Sequence, residues 1–262
     1  MVRDKKRNNL NENQLQILGL LYKFRYITVP LLTEYKALKS NSIQRTLDIL
    51  IDKELVERKF DKSYIKAENP ALYYLSKTGI ALLRTDDKYN KGVLNSYYRN
   101  GRASEAFVQH KLDTLKVFLA VKATYGDHFR VFTQQELMGF DDFPAKKPDL
   151  FLRARDGSTE YFVTLAHDTL PYLYRKRFKE LVQHYDEEGW ENGDYPTQLF
   201  IFFDNQQEYG FLLHVRQKFE SDGLEEDELY VGGTTFRAIT SKPYNAAVWS
   251  MAYEKGAPKR LA

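Results

Sequence analysis

Six polar or basic side chains stand close together in the first fifth of the chain, and their types are suited to reading the edges of nucleic-acid bases. They are Lys39, Ser40, Asn41, Ser42, Gln44 and Arg45. Asparagine and glutamine amides pair with adenine, and the arginine guanidinium pairs with guanine. The major groove of DNA admits one α-helix, which is read by side chains near the helix N-terminus. A helix that begins at this segment would therefore present a base-reading surface.

A second set of basic side chains follows and is suited to phosphate contacts, which position a protein on DNA without reading its sequence. This set comprises Arg58, Lys59, Lys62 and Lys66. A basic N-terminal tail, which could follow the backbone or a minor groove, adds Arg3, Lys5, Lys6 and Arg7.

Helical periodicity predicts three helices around the first set. The first is capped by Asn11 or Asn13 and runs to about Phe24, and the second is short, at 29–35, with Thr28 as cap and Pro30 in its first turn. The third starts after Ser40 or Asn41. Its apolar stripe is Ile43, Leu47, Leu50 and Ile51.

Two strand-like segments come next, at 55–60 and 71–75, and a polar loop at 61–70 separates them. Another helix is predicted at 76–83. The order helix, helix, helix, strand, loop, strand, helix is that of a winged helix-turn-helix, in which the loop is the wing. Residues 1–85 are therefore predicted to form a winged-helix DNA-binding domain, with a linker at 86–101.

Beyond a long helix predicted at 102–125, strands and helices alternate, and a Pro148-Asp149 pair precedes a strand. A second strand at 161–165 follows the turn at Asp156-Gly157. This is the outline of the restriction-endonuclease-like fold, in which a Pro-Asp and an acid-x-Lys on the next strand gather Mg²⁺ and polarise water. We predict an α/β domain of this kind for residues 102–262, with a late strand near 235–239.

The chemistry of that fold is incomplete here, because the second strand has Thr164 and Ala166 where the acid and the lysine are required. Asp149 alone holds a divalent cation poorly. Asp168 and Lys176 lie further along the chain and could supply displaced groups. We therefore predict a degenerate active site, with no catalytic residue, no metal and no cofactor.

The distribution of charge supports a division of labour between the two halves. Residues 1–100 have 19 Lys and Arg against 11 Asp and Glu, an excess of eight positive charges, whereas residues 101–262 have 20 against 25, an excess of five negative charges. A basic half next to an acidic half suggests that only the first meets a polyanion. The absence of cysteine excludes disulfides and thiol catalysis. With no apolar run that could span or target a membrane, a cytoplasmic location is expected.

The chain resembles the replication-relaxation family, accessory proteins of plasmids and integrative elements. The resemblance rests on QLQILGLLYKFRYITVPLL, IQRTLDILIDKELVERK and ALYYLSKTGIALL, then on the helix with His110, PDLFLRARDG-STEYFVTLAHDT, TQLFIFF and FRAITS with AAVW. It implies DNA binding in a mobile-element context. The family strand after Pro-Asp typically has a glutamate and an aspartate, which Thr164 and Ala166 replace here.

The sequence thus predicts an α+β protein that binds duplex DNA sequence-specifically, as a non-catalytic accessory or regulator of a mobile element in replication, mobilisation or transcription. A relaxase, replication or conjugation protein is a candidate partner, and a homodimer is a candidate state. Two alternatives stay open. One is a metal-dependent nuclease with a rearranged site, and the other is a protein-interaction scaffold, because Asp48 and Asp52 on the third helix would be repelled by phosphate.

Overall fold

The computed structural model describes residues 10–60, 62–166, 170–222, 229–254 and 256–262. The chain divides into two compact units, Met1–Leu115 and Lys116–Ala262. Within the described residues it is a mixed α+β protein with ten α-helices, one 3₁₀-helix and two β-sheets. No helix in these ranges combines the length and apolar character that crossing a bilayer requires.

The first unit begins with three helices, α1 (Glu12–Phe24), α2 (Val29–Lys36) and α3 (Ser40–Asp52). Asn11 caps α1 as predicted, because its Oδ1 accepts a hydrogen bond from the Gln14 N–H at 2.9 Å and the Gln14 side chain accepts from the Asn11 N–H at 3.1 Å. Between α2 and α3 the chain turns within residues 37–39, where Ala37 adopts φ 51°.

A three-stranded antiparallel sheet packs with these helices. It consists of β1 (Ile27–Thr28), β2 (Val56–Lys59) and the central strand β3 (Leu72–Leu75). All four residues of β3 are buried, as expected for a central strand covered on both faces. The connection from β2 to β3 contains a short helix, α4 (Lys62–Lys66), where the sequence predicts a loop.

Helix α5 (Lys77–Leu83) starts at Ser76, whose Oγ accepts from the Gly79 N–H at 3.0 Å and donates to the Glu54 carbonyl at 2.5 Å. Through these two hydrogen bonds, Ser76 connects the start of α5 to the turn before β2. The backbone of α5 lies very close to that of Leu55, because a Cβ added to Gly79 would be 2.1 Å from the Leu55 carbonyl oxygen. Glycine is therefore required here for packing.

Residues 86–101, for which the sequence predicts a linker, are largely helical, with α6 (Lys91–Ser96) followed by a 3₁₀-helix (Tyr97–Arg102). The segment packs onto the end of α1. The Tyr26 hydroxyl donates to the Asn100 carbonyl at 2.9 Å and the Tyr97 hydroxyl donates to the Tyr22 carbonyl. Arg25 donates to the Asn100 side chain at 2.6 Å and to the Ser96 carbonyl at 2.8 Å. This segment is therefore an integral part of the first unit.

Helix α7 (Glu105–Tyr125) follows, and the boundary between the two units falls within it. The second unit is built on a six-stranded sheet with β4 (Phe129–Thr133), β5 (Leu150–Ala154), β6 (Glu160–Ala166), β7 (Thr197–Phe202), β8 (Val231–Thr235) and β9 (Ser250–Met251) in that spatial order. The pairs β6–β7 and β7–β8 are parallel, and the others are antiparallel.

The remaining helices are α8 (Pro171–Asp186), α9 (Asn205–Asp222) and α10 (Phe236–Thr240). Aromatic side chains of α8 and α9, among them Phe178 and Phe211, share a buried cluster with Phe162 of β6 and Phe200 of β7. Parallel strands at the centre of the sheet need such cover.

The prediction of a strand near 235–239 is wrong, because this segment is helical and the strand precedes it. The strand is β8, which ends at Thr235, and residues 236–240 form α10. The Thr235 Oγ1 accepts from the Ala238 N–H at 3.2 Å and so starts the helix. The β8 sequence has two consecutive glycines, which weakens its strand signal. Both are closely packed, since an added Cβ would lie 2.8 Å from the Met251 sulfur at Gly232 and 3.3 Å from the Glu208 Cγ at Gly233.

Candidate nucleic-acid interface

The N-terminal turns of α3 present most of the predicted base-reading residues to solvent. Burial of Ile43, Leu47 and Leu50 sets the rotation of the helix. The opposite side is consequently outward, and its exposed residues are Lys39, Ser40, Asn41, Ser42 and Arg45. The cap residue Lys39 forms no side-chain capping bond, so the first backbone N–H groups keep the positive end of the helix dipole open to an anion.

Gln44 differs from its neighbours because its amide already has partners within the protein. It is half-buried, its Nε2 donates to Asp48 Oδ1 at 2.8 Å, and its Oε1 accepts from the Tyr73 hydroxyl at 3.2 Å. Gln44 would have to exchange these bonds to contact a base. Its observed role is to join α3 to the central strand of the sheet.

The sheet register extends this surface to Arg58. Arg58 of β2 lies directly opposite Tyr73 of β3, and side chains at opposed positions of antiparallel strands point to the same face. Since Tyr73 reaches Gln44, Arg58 lies on the face of the sheet that α3 covers. The Arg58 Cζ is 5.9 Å from the ring centre of Phe60.

Lys59 lies on the other face, because successive residues of a strand alternate. Its Nζ is 5.8 Å from the centre of the Tyr64 ring, on the side where Tyr26 and Tyr74 are buried. Burial raises the pKa of both of these tyrosines to about 12. Arg58 and Lys59, adjacent in sequence, are therefore separated by the sheet.

Of the other basic residues predicted to contact DNA, the structure describes the side chain of Lys66. Lys66 is exposed at the end of α4. The side chain of Lys62 and the whole tail with Arg3, Lys5, Lys6 and Arg7 lie outside the described residues. A residue not singled out from sequence is Lys36, at the end of α2, whose Nζ donates to Gln16 Oε1 at 2.5 Å. Burial lowers the pKa of Lys36 against the opposing effect of Glu12.

In the second unit, Asp149 immediately precedes β5, and it is the residue for which the sequence predicts the position of a nuclease carboxylate. It is buried, and its Oδ2 accepts a hydrogen bond from the backbone N–H of Leu165 in β6 at 3.0 Å. Thr164 and Ala166 are buried on either side of Leu165. The carboxylate thus bonds the backbone of the strand on which the acid and the lysine are missing.

One comparison with known proteins found a match. The model described as replication-relaxation matches residues 18–189, well over half of the chain. The chain belongs to the replication-relaxation family. The search of curated proteins and the search of solved structures returned no match.

The part matched to the replication-relaxation family runs from α1 through α8 and includes α3, the three-stranded sheet and Asp149. The segments TQLFIFF and FRAITS, which also suggested the family, lie beyond it. The family match therefore covers the candidate interface and the first strands of the second sheet, β4, β5 and β6.

Within the matched part, a buried cation lies near Asp149. Arg177 of α8 is only 3% exposed, and within the described residues its three guanidinium nitrogens have no hydrogen-bond partner. Oε2 of Glu180 is 3.6 Å from Nη1, an ion-pair distance. Burial lowers the pKa of Arg177, and the charges of Glu180 and Asp149 oppose this effect.

The charge of Arg177 also acts on His184, together with that of Lys147. Burial lowers the pKa of His184, and the positive charges of Lys147 and Arg177 lower it further against the effect of Glu187. The Lys147 Nζ donates to the Phe140 carbonyl at 2.5 Å and to the Phe143 carbonyl at 3.2 Å. The charge of Asp149 thus acts on a buried protein cation, Arg177, whereas a metal site requires several oxygen ligands. Asp168, the acid considered as a displaced ligand, lies outside the described residues.

Proposed function

We propose that this replication-relaxation protein is a sequence-specific duplex DNA-binding accessory or regulator of a plasmid or integrative element, and that it is non-catalytic. It acts in replication, relaxation or mobilisation, or transcription. The observation that carries the proposal is the exposed row at the N-terminus of α3, with Lys39, Ser40, Asn41, Ser42 and Arg45 in solvent.

The first unit is proposed to act as a winged helix-turn-helix. The tight turn between α2 and α3, and the antiparallel β2–β3 pair that follows, support this interpretation. In this arrangement α3 enters the major groove and the β2–β3 connection lies along the neighbouring backbone. Arg58 lies on the α3 side of the sheet and is the strongest candidate for a phosphate contact beside the helix.

The second unit is proposed to have a restriction-endonuclease-like core with a degenerate site, which serves as a platform for a partner or for a second copy of the chain. A relaxase, replication or conjugation protein fits the family context. The bond from the Leu165 N–H to Asp149 supports the absence of catalysis, because a carboxylate committed to backbone support has less capacity for a metal. The metal-dependent nuclease with a rearranged site is the competing proposal.

A protein-interaction scaffold is the second candidate function, and the acids of α3 favour it. Asp48 and Asp52 are both exposed, and their charges would be repelled by a phosphate backbone. They lie one and two turns beyond Gln44, away from the N-terminal end. A helix that reads DNA through its first turns keeps them at the edge of the groove.

The discriminating experiment is binding of the full chain to duplex DNA at a series of salt concentrations. The wild type is expected to bind, with an affinity that falls steeply as salt rises, because each phosphate contact contributes a slope of about −0.9 in log K against log salt. The variant with Lys39→Ala, Asn41→Ala and Arg45→Ala is expected to lose most of this affinity. Lys179→Ala, an exposed lysine of the second unit, is the matched control.

Negligible wild-type binding at every salt concentration would overturn the DNA proposal and favour the scaffold. Wild-type binding that the triple variant retains in full would move the interface away from α3.

A further inference from the structure

The outward side of α8 is basic, although the half of the chain that contains it is acidic. Residues 170–179 include four basic residues and no acid, whereas residues 101–262 have an excess of five negative charges. The inner side of the helix is buried and consists of Tyr174, Arg177, Phe178 and Leu181. The opposite side therefore faces solvent, and its exposed cations are Arg175, Lys176 and Lys179.

An aromatic ring lies on the same side of the helix. Tyr172 is 60% exposed, and the three cations follow it at positions i+3, i+4 and i+7. Residues at these spacings line one side of an α-helix, and those three or four apart have Cβ atoms about 5–6 Å from each other. Arg175 and Lys176 are consequently the direct neighbours of Tyr172 along the helix. We call these four residues the basic face of α8.

Aromatic contacts with α9 fix the orientation of the basic face. The centre of the Phe178 ring is 5.8 Å from that of Phe211 and 6.2 Å from that of Phe219, and both of these residues belong to α9. The ring of Tyr174 also contacts Phe211, with 5.7 Å between the centres. Because these contacts bury the inner side of α8, the basic face is held toward solvent.

The positive charge of this surface extends to α9. Burial lowers the pKa of His214, a residue of α9, and the positive charges of Arg175 and Lys218 lower it further. Cations of two neighbouring helices therefore act on the same side chain, and together they favour the approach of a polyanion.

Acidic side chains leave most of this charge uncompensated. Within the described residues, Arg175 and Lys179 form no ion pair, and the Lys176 Nζ is 4.0 Å from Glu180 Oε1, at the limit of an ion pair. The Lys176 side chain is well exposed, and exposed pairs of this kind contribute little. The three cations are therefore accessible to the phosphates of a ligand.

We propose that the basic face of α8 binds a single-stranded nucleic acid, with a base stacked on the Tyr172 ring and the neighbouring phosphates on Arg175 and Lys176. Proteins that bind single strands combine cations along the backbone with aromatic side chains on which bases stack. The inference goes beyond the proposed function, which assigns duplex binding to α3, and it gives the second unit a nucleic-acid surface of its own.

The exposed tyrosine favours a single strand over other polyanions. In a duplex the bases are stacked on one another, and only their edges are accessible in the grooves. An acidic protein segment would pair with the cations but has no base to stack on Tyr172. A single strand supplies a planar base with every phosphate, which matches a ring that has cations one turn away.

The experiment measures fluorescence anisotropy of labelled oligothymidylate and oligouridylate, which form no duplex, with the full chain at a series of salt concentrations. The wild type is expected to bind with an affinity that falls as salt rises. The tighter of the two oligonucleotides identifies DNA or RNA as the ligand. Polyglutamate, added at an equal concentration of charge, is expected to compete poorly because it has no bases.

Tyr172→Ala is expected to weaken binding by about 5- to 150-fold, the range for loss of one base–aromatic stack. Tyr172→Phe retains the ring and is expected to bind as the wild type does. Arg175→Ala with Lys176→Ala is expected to reduce the salt slope by about 1.4, because each phosphate contact on a single strand contributes about 0.7.

The matched control is Tyr209→Ala, which removes a tyrosine of α9 that is 69% exposed and lines a different groove, with Leu213 and Trp249. This variant is expected to bind single strands as the wild type does. Urea denaturation verifies that every variant keeps its fold, as expected for substitutions of exposed side chains.

Three results would overturn the proposal. The first is a wild type that binds neither oligonucleotide, the second is undiminished binding by Tyr172→Ala, and the third is displacement of the oligonucleotide by polyglutamate, which would favour an acidic protein segment. Duplex binding through α3 is measured separately and is unaffected by these results, so they are distinguishable from a failure of the proposed function.

Discussion

Arg45 and Lys66 have the same charge but, under the proposed function, different roles. Arg45 is exposed near the N-terminus of α3, whereas Lys66 ends the short helix α4 between two strands. A guanidinium that forms two hydrogen bonds with one guanine discriminates against the wrong base by roughly 1–3 kcal/mol. A lysine on a phosphate contributes equally to all sequences.

We therefore expect Arg45→Ala to relax the sequence preference, and Lys66→Ala to weaken binding to all duplexes alike with a salt slope smaller by about one. Selection of bound sequences from a random duplex library, followed by filter binding, measures both effects. An unchanged preferred site in Arg45→Ala would show that α3 does not read bases through this residue.

Asp149 has a structural role that the sequence pattern does not reveal. Its Oδ2 satisfies the buried N–H of Leu165. Leaving a buried donor unsatisfied costs about 1–3 kcal/mol. We expect Asp149→Ala to lower the free energy of unfolding by about that amount, and Asp149→Asn, which retains an acceptor oxygen, to lower it less.

The measurement is urea denaturation of the three proteins, combined with a plasmid-nicking assay in Mg²⁺ and Mn²⁺. Under the proposed function the wild type leaves supercoiled plasmid intact, and so do both variants. Metal-dependent nicking by the wild type that disappears in Asp149→Ala would favour the nuclease instead, with Glu160, Asp168 or Lys176 as the next groups to vary.

Among the secondary-structure elements, two helical glycines occupy opposite environments. Gly79 of α5 touches the backbone of the turn before β2, with 2.1 Å between an added Cβ and the Leu55 oxygen, whereas an added Cβ on Gly210 of α9 meets nothing within 4 Å. In an open helical position alanine is more favourable than glycine by about 1 kcal/mol. A backbone oxygen cannot move aside as the end of a flexible side chain can.

Gly79→Ala is expected to destabilise the protein by displacing α5 from β2, and Gly210→Ala to stabilise it by up to about 1 kcal/mol. Thermal and urea unfolding of the two variants against the wild type test this pair. Equal stability of Gly79→Ala and the wild type would contradict the close packing of α5 on Leu55.

At the scale of the whole molecule, the chain divides into two compact units, Met1–Leu115 and Lys116–Ala262. The unit that contains α3 extends to Leu115. Within it, residues 86–102 form hydrogen bonds with the side chains of Arg25 and Tyr26 and with the carbonyl of Tyr22. The Arg25 guanidinium also lies 4.7 Å from the Tyr97 ring centre and 4.9 Å from that of Phe107. Removal of this segment would expose tyrosines that are buried in the chain.

A fragment that ends at residue 85 is therefore expected to unfold at lower urea concentration than a fragment that ends at residue 115, and to bind DNA more weakly. In the full chain, Tyr97→Phe removes the hydrogen bond to the Tyr22 carbonyl while keeping the ring, and is expected to cost about 0.5–1.5 kcal/mol. Equal denaturation midpoints for the two fragments would instead support the predicted domain boundary at residue 85.

The sequence alone determined those features that depend on residues close together in the chain. Periodicity and capping residues determined α1, α2 and α3, the strand pair β2–β3, and the outward row of α3, because one buried stripe decides which side faces water. The family, too, was recognisable from the order of such segments. The separation of Arg58 from Lys59 could have been foreseen from the alternation of a strand.

Only the tertiary structure decided the rest, because those features depend on residues far apart in the chain. Gln44 is occupied because Tyr73, 29 positions away, reaches it across the sheet. Residues 86–102 are ordered against α1 because their polar sequence carries Tyr97 and Asn100 at the places where Tyr22, Arg25 and Tyr26 need partners. Asp149 supports β6 because the strand register brings the Leu165 N–H to its carboxylate, a contact that no spacing along the chain announces.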